Sequence, residues 1–401
     1  MNIDAGCQIC GSNGLTEVTE FSRLARVTSD AKPWAAGGRL AVCATCGSMQ
    51  KLPDAAWLAE IAKIYGSFEI YHQSGGSEQF VYDPDGGGAE PRSVRLVKYL
   101  ARTLPLPARG RLLDVGCGNG VTLASFAKYL PDWLLFGSEL SDKSLARCRQ
   151  IPGFTELYTC SADGIPGTYE LISLVHSLEH MVAPTKVMSD LTSRLSDTGH
   201  IFVEVVDCAR TPYDLLIADH LLHFTADTLD LAARVSGYDT VVLSNDVVQK
   251  ELSWIGRPRA SASRAANTAL GRCDPERALA TTKRHVAWLG EQIGRFAEVA
   301  SHHAPIGIFG TAISATWLHS IISDKVAFFV DEDPGRINRK HMGLPIFAPN
   351  DVPSEAHILV PLISDIAEKV ARRLARPNVH YHLPPALHDQ TAAAPMVGRR
   401  A

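Results

Sequence analysis

The sequence predicts an α/β protein built from three parts: a short metal-binding segment, a doubly wound ligand-binding domain and a smaller domain of the same general type. Three observations support this prediction. Two C-x2-C pairs stand near the amino terminus. From residue 93 onward, short apolar runs alternate with helical patterns around a glycine-rich turn. A second alternation begins near residue 305, and strands that alternate with helices are typical of parallel sheets.

Length and composition limit the classes of function. The chain has 401 residues, of which 46% are hydrophobic and 20% charged, and its formal net charge is -4. These values are typical of a globular protein with more than one core. Because the chain has no basic excess to follow a phosphate backbone, no nucleic-acid partner is expected. No apolar run is long enough for a membrane span and no signal peptide is expected, and we expect a monomer or small homo-oligomer.

The cysteines near the amino terminus form two pairs, which 32 residues separate. Each pair lets two thiolates reach one ion from a tight turn, and two such pairs give the tetrahedral four-sulfur set of structural zinc. The predicted Zn²⁺ ligands are Cys7, Cys10, Cys43 and Cys46, and two unrelated redox pairs are the alternative. The other cysteines stand singly, which favours a reducing, cytoplasmic setting over a disulfide framework.

The most informative stretch is Asp114-Val-Gly-Cys-Gly-Asn-Gly120, which lies between a strand pattern and a helical one. Its glycines let the chain turn sharply and let a ligand approach the backbone. The next strand pattern ends at Glu139, where a carboxylate can accept hydrogen bonds from a ribose diol. NAD is an alternative ligand, but its fingerprint has the third glycine one position later, where Val121 stands. The acidic residue before the first glycine and the G-x-G-x-G spacing favour S-adenosylmethionine (SAM).

This stretch resembles the first motif of class I SAM-dependent methyltransferases. In that family the glycine loop contacts the methionine part of the cofactor, the acidic residue after the second strand holds the ribose, and the loop after the third strand holds the adenine. The fourth strand here ends at His176-Ser-Leu-Glu179-His180, which is similar to the H-x-L-E-H of many small-molecule methyltransferases. The cofactor site that the resemblance implies consists of Asp114, Gly116, Cys117, Gly118, Glu139, Leu140, Ser161, Ala162, Asp163 and His176.

The order of the parts resembles a narrower family, the zinc-containing C-methyltransferases of nucleotide-linked keto-deoxysugars. A four-cysteine segment, a methyltransferase domain and a small Rossmann-like domain follow one another in both. The stretch FFVDEDPGRINRKHMGLPIFAP is similar to a pattern of that family's last domain. The resemblance implies domains at residues 1–60, 61–245 and 246–401, the last of which helps to hold a nucleotide sugar. One departure is that the lysine of the family's first turn in that domain is missing after Gly307.

The family's general base lies in a segment after the fifth strand, to which residues 217–225 correspond. His220 stands at the position of the base histidine. Asp219 replaces a glutamate and is expected to orient His220 or to bind a substrate hydroxyl. The family's tyrosine and first histidine are replaced by Ile217 and Ala218, which removes a phenol that could donate to an enolate oxygen. His223 stands where the family has an aromatic residue and is expected to serve mainly in packing.

The predicted reaction is base-assisted C-methylation of a small acceptor, a nucleotide-linked keto sugar, because an imidazole suits removal of a proton next to a ketone. The predicted catalytic residues are His220, Asp219, His176, Glu179 and His180, although helix capping and packing are an alternative role for Glu179 and His180. Alternative functions are O-methylation of a sugar or natural-product scaffold, and a non-catalytic homologue that binds SAM or a nucleotide sugar. The acidic charge balance disfavours an RNA methyltransferase.

Overall fold

The structure, a computed structural model, describes residues 6–69, 78, 80–82, 88–260 and 273–387. The loop that the sequence predicts over residues 66–86, either a linker or a cover for a ligand, lies mostly outside these ranges. Among the helices that are described, none has the length and apolar character needed to cross a membrane.

The amino-terminal segment is a small antiparallel sheet followed by a helix. Its elements are β1 (Leu15–Glu17), β2 (Arg26–Val27), β3 (Pro33–Trp34), β4 (Leu40–Cys43), β5 (Met49–Lys51) and α1 (Ala55–Gly66). In the sheet, β4 lies between β1 and β5. Asp54 caps α1, because its side chain accepts a hydrogen bond from the Trp57 amide at 2.9 Å. The predicted boundary at residue 60 is wrong, since α1 runs through it.

The central part is a seven-stranded sheet with helices on its faces. Its elements are β6 (Phe80–Tyr82), β7 (Ala89–Pro91), α2 (Arg92–Thr103), β8 (Arg111–Val115), α3 (Val121–Tyr129), β9 (Leu134–Ser138), α4 (Leu145–Cys148), β10 (Phe154–Tyr158), β11 (Tyr169–Val175), α5 (Pro184–Thr192), β12 (Leu195–Val206), β13 (Leu222–His223), α6 (Ala226–Val235), β14 (Tyr238–Ser244) and β15 (Glu251–Pro258). The strand order is β10-β9-β8-β11-β12-β15-β14, and β6 and β7 form a separate hairpin.

The sheet is mixed and not purely parallel as predicted. The first five strands in the order pair in parallel, whereas β15 is antiparallel to both β12 and β14. The inner strands β8 and β9 are almost wholly buried because both of their faces are covered, whereas the edge strand β10 is partly exposed. The predicted domain boundary at 245/246 is therefore wrong, since it separates β14 from its neighbour β15.

A buried carboxyl pair lies where β12 and β15 meet. Glu204 pairs with Ser253 in the strand register, and neither carboxyl oxygen of Glu204 has a hydrogen-bond partner among the described residues. Burial, with the Glu251 carboxylate beside it, raises the pKa of Glu204 well above its usual value. The fold therefore favours the neutral form of Glu204 more than water does.

We expect Glu204→Gln to stabilise the protein increasingly as the pH rises. The folded-state pKa of Glu204 is raised, so its contribution to stability is present below the unfolded pKa and is lost as the pH rises toward the folded value. Glutamine does not titrate and keeps the neutral form. Thermal unfolding at pH 5 and pH 8 should show a gain in Tm only at the higher pH. An equal gain at both pH values would contradict a raised pKa.

The third part is a six-stranded sheet with its own helices. Its elements are α7 (Pro275–His302), β16 (Ile306–Phe309), α8 (Ile313–Ile322), β17 (Val326–Val330), β18 (Lys340–His341), β19 (Leu344–Phe347), β20 (Ala356–Leu359), α9 (Ser364–Arg373) and β21 (Val379–His382). The strand order is β18-β19-β17-β16-β20-β21, and all neighbours are parallel except β18 and β19. The alternation of strands and helices agrees with the sequence pattern.

The short strand β13 joins the central part to the amino-terminal segment. It pairs antiparallel with β5 and extends the small sheet to the order β1-β4-β5-β13. Backbone hydrogen bonds also link the residues just before β13 to the amino-terminal segment. The Ala218 amide donates to the Val27 carbonyl and the Lys51 amide donates to the Leu221 carbonyl, both at 2.8 Å. The predicted catalytic stretch is thus held from outside the central sheet.

Candidate functional site

The glycine loop after β8 lies directly against the segment that follows β11. Gly116 has a φ of +76°, and a Cβ at this position would lie 2.5 Å from the Ser177 Cβ. Only glycine satisfies both conditions. Ser177 is itself fixed, because its hydroxyl donates to the Val115 carbonyl at 2.7 Å. The loop and the His176–His180 segment therefore form one continuous surface at the carboxyl edge of the sheet.

We expect Gly116→Ala to abolish binding of S-adenosylhomocysteine (SAH). The added methyl group would push Ser177 away and would force the backbone out of a left-handed conformation. Isothermal titration calorimetry measures the loss, and Gly290→Ala is the matched control because a Cβ there meets nothing within 4 Å. SAH binding of normal affinity by Gly116→Ala would contradict this account of the loop.

Glu139, at the end of β9, faces the same loop. Its carboxylate accepts hydrogen bonds from the Gly118 amide at 2.6 Å and from the Leu140 amide at 3.0 Å. A carboxylate has about four acceptor positions, so capacity remains for a ribose diol. The Leu140 side chain is 81% exposed and offers apolar surface beside that carboxylate. These features fit the ribose end of SAM.

The predicted adenine residues follow β10. Ala162 and Asp163 lie in the short 3-10 helix Ala162–Gly164, which is at the same edge of the sheet as Glu139. The Ser161 hydroxyl donates to the exposed Asp163 carboxylate at 2.5 Å. This bond lowers the pKa of Asp163 and keeps its carboxylate ionised.

Two other predicted cofactor residues have buried side chains that support the loop from within. The Asp114 carboxyl lies inside the sheet and accepts a hydrogen bond from the Ser173 hydroxyl at 2.7 Å, and burial raises its pKa to about 7. The Cys117 side chain points onto β9, where a Cβ at Gly137 would lie 2.6 Å from its Sγ. Their side chains therefore hold the loop in place, and only their backbone faces the edge.

The four predicted zinc ligands come together. The thiols of Cys7, Cys10, Cys43 and Cys46 all lie within 4.8 Å of one another. The shortest separations, Cys7 to Cys46 and Cys10 to Cys43, are both 3.6 Å between Sγ atoms. Four converging thiols of this kind are the donor set that zinc prefers. The residues present therefore fit a structural zinc ion.

His176 is held between two carboxylates behind the glycine loop. Its Nδ1 lies 3.3 Å from Glu179 Oε1, and its Nε2 lies 3.2 Å from Glu251 Oε2. Burial acts to lower the pKa of His176, but the Glu251 carboxylate outweighs it and the pKa rises to about 10. His176 is therefore an imidazolium at neutral pH and is unsuited to the role of a base.

His180 has Asp219 and Tyr65 as neighbours. Its Nδ1 lies 3.0 Å from the Asp219 carbonyl oxygen, 3.4 Å from Asp219 Oδ2 and 3.2 Å from the Tyr65 hydroxyl. Burial acts against the charged ring, yet the Asp219 carboxylate raises the pKa of His180. Asp219 has its own pKa lowered to about 2, because the charge on His180 outweighs burial. His180 is thus a cationic ring in an ion pair.

His220 is oriented by Asp214. The Nδ1 atom of His220 lies 2.8 Å from Asp214 Oδ1, and the Nδ1 atom of His223 lies 2.7 Å from Asp214 Oδ2. Burial favours the neutral acid, but the two imidazoles lower the pKa of Asp214 below its usual value. Because a carboxylate only accepts, both rings carry a proton on Nδ1. A neutral His220 therefore has an unprotonated Nε2.

Two sequence predictions need correction here. Asp219 does not orient His220, because its oxygens bind the Ser29 amide at 2.8 Å and the Ser29 hydroxyl at 2.5 Å, and it pairs with His180. Asp214 has the orienting role instead. His223 is buried as expected, but both of its ring nitrogens have polar partners, so it does more than pack.

Three of the predicted catalytic residues come together in one cluster. One side-chain donor or acceptor atom from each of Glu179, His180 and His220 lies within 4.8 Å of the others. The rings of His180 and His220 meet edge to face, with centroids 4.6 Å apart. The Leu221 amide donates to the Glu179 carbonyl at 2.8 Å, which ties the two segments together. The cluster therefore combines two imidazoles and a carboxylate.

The sequence analysis did not identify three residues that contact these histidines, namely Asp214, Lys51 and Tyr65. Asp214 stands in the same short stretch as His220. A carboxylate close to a histidine in the sequence is the signal that could have identified it. Lys51 and Tyr65 come from the amino-terminal segment, more than 150 and 110 residues from their histidine partners. No local sequence pattern connects residues at such distances.

The family model described as a methyltransferase domain matches residues 89–243. The strand order, the glycine loop and the acidic residue after β9 agree with a class I SAM-dependent methyltransferase domain.

Curated relatives match part of the chain. It is 29% identical over 154 residues to the ubiquinone biosynthesis O-methyltransferase of Methylococcus capsulatus, which corresponds to 35% of this chain and 63% of that protein. It is 35% identical over 91 residues to the 27-O-demethylrifamycin SV methyltransferase of Amycolatopsis mediterranei, or 22% of this chain and 33% of that protein. The chain thus spans less than two thirds of the length of these relatives.

Solved structures of methyltransferases are also similar. A SAM-dependent methyltransferase from Clostridium acetobutylicum has a TM-score of 0.36 and 8% identity, with 51% of this chain and 98% of that chain covered. A mitomycin 7-O-methyltransferase has a TM-score of 0.37 and 12% identity, with coverage of 42% and 53%.

Proposed function

We propose that the chain is a SAM-dependent methyltransferase that C-methylates a nucleotide-linked keto sugar. The observation that carries the proposal is the pair of neighbouring histidines, each held by its own aspartate, beside the glycine loop. Asp214 leaves Nε2 of His220 as a proton acceptor, whereas Asp219 keeps His180 as a cationic donor. Carbon methylation needs such a base and such a donor at one ketone.

Three side chains have distinct roles in the proposed reaction. His220 Nε2 takes the proton from the carbon next to the ketone, and Asp214 stabilises the imidazolium that forms. His180 donates to the ketone oxygen as negative charge develops on it. SAM, when bound by the glycine loop and Glu139, supplies an electrophilic methyl group.

Tyr65 can replace the phenol that is missing at position 217. The Nδ1 proton of His180 points to the Asp219 carbonyl and to the Tyr65 oxygen, which therefore accepts. The Tyr65 hydroxyl proton is then left for another acceptor. Burial raises the pKa of Tyr65, so the phenol keeps its proton at neutral pH. This supports a second donor to the enolate oxygen.

The third part of the chain is proposed to hold the nucleotide. At the carboxyl edge of β16 and β17, the Thr311 hydroxyl donates to Asp331 at 2.6 Å, and Arg336 donates to Thr311 at 2.9 Å. Open parallel sheets bind ligands at this edge. Arg336 is buried and lies 3.5 Å from both the Asp331 and the Asp333 carboxylates, and we propose that it turns to a diphosphate in place of the missing lysine.

The four-cysteine cluster is proposed to bind structural zinc. The ion would link the loops at Cys7–Cys10 and Cys43–Cys46. Because β5 follows directly and pairs with β13, the zinc loops would fix the strand that carries His223. The metal would have no part in the methyl transfer.

Incubation with methyl-¹³C-labelled SAM tests the reaction. Nucleoside diphosphate 4-keto and 3-keto sugars are offered as acceptors, with the corresponding free sugars as controls. We expect a new carbon-bound methyl resonance only with the nucleotide-linked ketones. Transfer to no acceptor, together with absence of SAH binding, would overturn the proposal.

O-methylation is the second candidate. The similarity to a ubiquinone biosynthesis O-methyltransferase favours it, and His220 can deprotonate a hydroxyl as readily as a carbon acid. A new methyl resonance in the oxygen-bound region of the same experiment would select it. The third possibility, a non-catalytic homologue, requires SAH binding without any transfer.

A further inference from the structure

Lys51 is a buried cation at the end of a hydrogen-bonded chain that leads to His220. Its Nζ lies 2.8 Å from His223 Nε2 and donates to the Leu215 carbonyl at 2.6 Å. His223 in turn contacts Asp214, and Asp214 contacts His220. The side chain of Lys51 is fully buried and also lies over the Phe21 ring, 4.4 Å from its centroid.

Asp214 and Lys51 together determine the direction of the hydrogen bonds along this chain. An ammonium only donates, so His223 Nε2 must accept and must carry no proton. His223 therefore keeps its single proton on Nδ1 and donates it to Asp214. Asp214 consequently receives two N–H donors, one from each histidine, and His220 cannot present Nδ1 unprotonated.

We propose that Lys51 is a positioning residue for methyl transfer, which keeps a second proton off Nε2 of His223 and so leaves Asp214 free to hold His220 with Nε2 ready to accept a proton. This inference rests on the proposed function, because His220 is the base in that function. It also assigns the amino-terminal segment a direct part in the chemistry, since Lys51 ends the strand that follows the second cysteine pair.

The charges around the chain support this role. The charged and titratable groups that influence Lys51 are Asp214, His223, Arg26, Cys208 and Asp219. Those that face His220 are Asp214, His180, His223, Glu179 and Asp219. Burial lowers the pKa of Lys51 to about 7 and that of His223 to about 4. Lys51 is therefore the more basic of the two, so a proton that the pair binds resides on Lys51.

Replacement of Lys51 by methionine tests the inference. Without the ammonium, His223 Nε2 loses its donor, so we expect His223 to take up a second proton near neutral pH. In ¹⁵N-histidine NMR of the SAH complex, Nε2 of His223 should be unprotonated in the parent protein and protonated in Lys51→Met. His223→Gln assigns the resonance.

Kinetics provide the second readout. In Lys51→Met, kcat should fall by about tenfold or more, within the range of proton-transfer effects, while KM for SAM stays within about twofold. The acid limb of the pH profile should also shift. Lys51→Gln keeps a donor near His223 and should recover part of the rate. Lys63→Met, an exposed lysine of α1 in the same segment, is the matched control.

The outcomes separate the two proposals. If the parent transfers a methyl group and Lys51→Met keeps both its pH profile and an unprotonated His223 Nε2, the inference is overturned. If Lys51→Met does not fold, Lys51→Leu, which also lacks a donor, serves for the same comparison, with SAH affinity as the check of folding. Absence of transfer by the parent would count against the proposed function instead.

Discussion

Replacement of His220 by alanine is expected to lower kcat by about 10²–10⁴-fold, the range of a lost general base. SAH affinity should stay within about twofold, because His220 is assigned to the acceptor, whereas the glycine loop packs against Ser177. Steady-state kinetics and calorimetry measure the two quantities. His302→Ala, an exposed histidine at the end of α7, is the matched control.

Asp214→Asn sharpens this prediction. The two Nδ1 atoms face different oxygens of Asp214, and in asparagine one of these positions becomes an NH2 group that donates, so one histidine must change its tautomer. The loss of rate should approach that of His220→Ala although His220 is still present. Asp219→Asn should instead weaken the charge on His180. Full turnover by His220→Ala or by Asp214→Asn would refute the assignment of the base and of its orienting partner.

Loss of the proposed zinc is expected to have the second large effect. Cys46→Ser removes one buried thiol of the four and should release the metal, lower Tm and abolish methyl transfer. Structural zinc sites in small segments contribute much of the folding free energy, and here β5 would lose its anchor together with Lys51 and the pairing with β13. Metal content by mass spectrometry and thermal unfolding are the measurements.

The control is Cys160→Ser, because Cys160 is exposed and lies outside the cluster. It should keep one zinc per chain and full activity. SAH binding should survive in Cys46→Ser better than turnover does, because the glycine loop belongs to the central sheet. A Cys46→Ser protein with unchanged Tm and turnover would show that the cluster has no structural role.

The sequence was informative wherever chemistry and local geometry coincide in a short stretch. The glycine loop needs its residue types within a few positions, and each cysteine pair lies in one tight turn, so the sequence alone singles out both. The strand alternation likewise predicted the central sheet. The antiparallel direction of β15 could not be predicted, because an apolar run in the sequence does not show in which direction a strand pairs.

The contacts of the histidines with their partners could not be predicted from short stretches of sequence. Asp219 adjoins His220 in sequence, yet the chain turns between them so that Asp219 meets Ser29 and His180. Asp214 reaches His220 only because the short 3-10 helix Pro212–Leu216 turns it back. Lys51 and Tyr65 belong to the amino-terminal segment. Adjacency in sequence was therefore a poor guide to adjacency in space.

Solvent exchange is the most direct test of the base that acts on carbon. The protein is saturated with SAH and a nucleotide-linked keto sugar in deuterium oxide, and proton NMR follows the hydrogen next to the ketone. We predict exchange of that hydrogen with the parent protein and with His302→Ala, and none with His220→Ala. A sugar that binds but keeps its hydrogen in the parent complex would contradict the account.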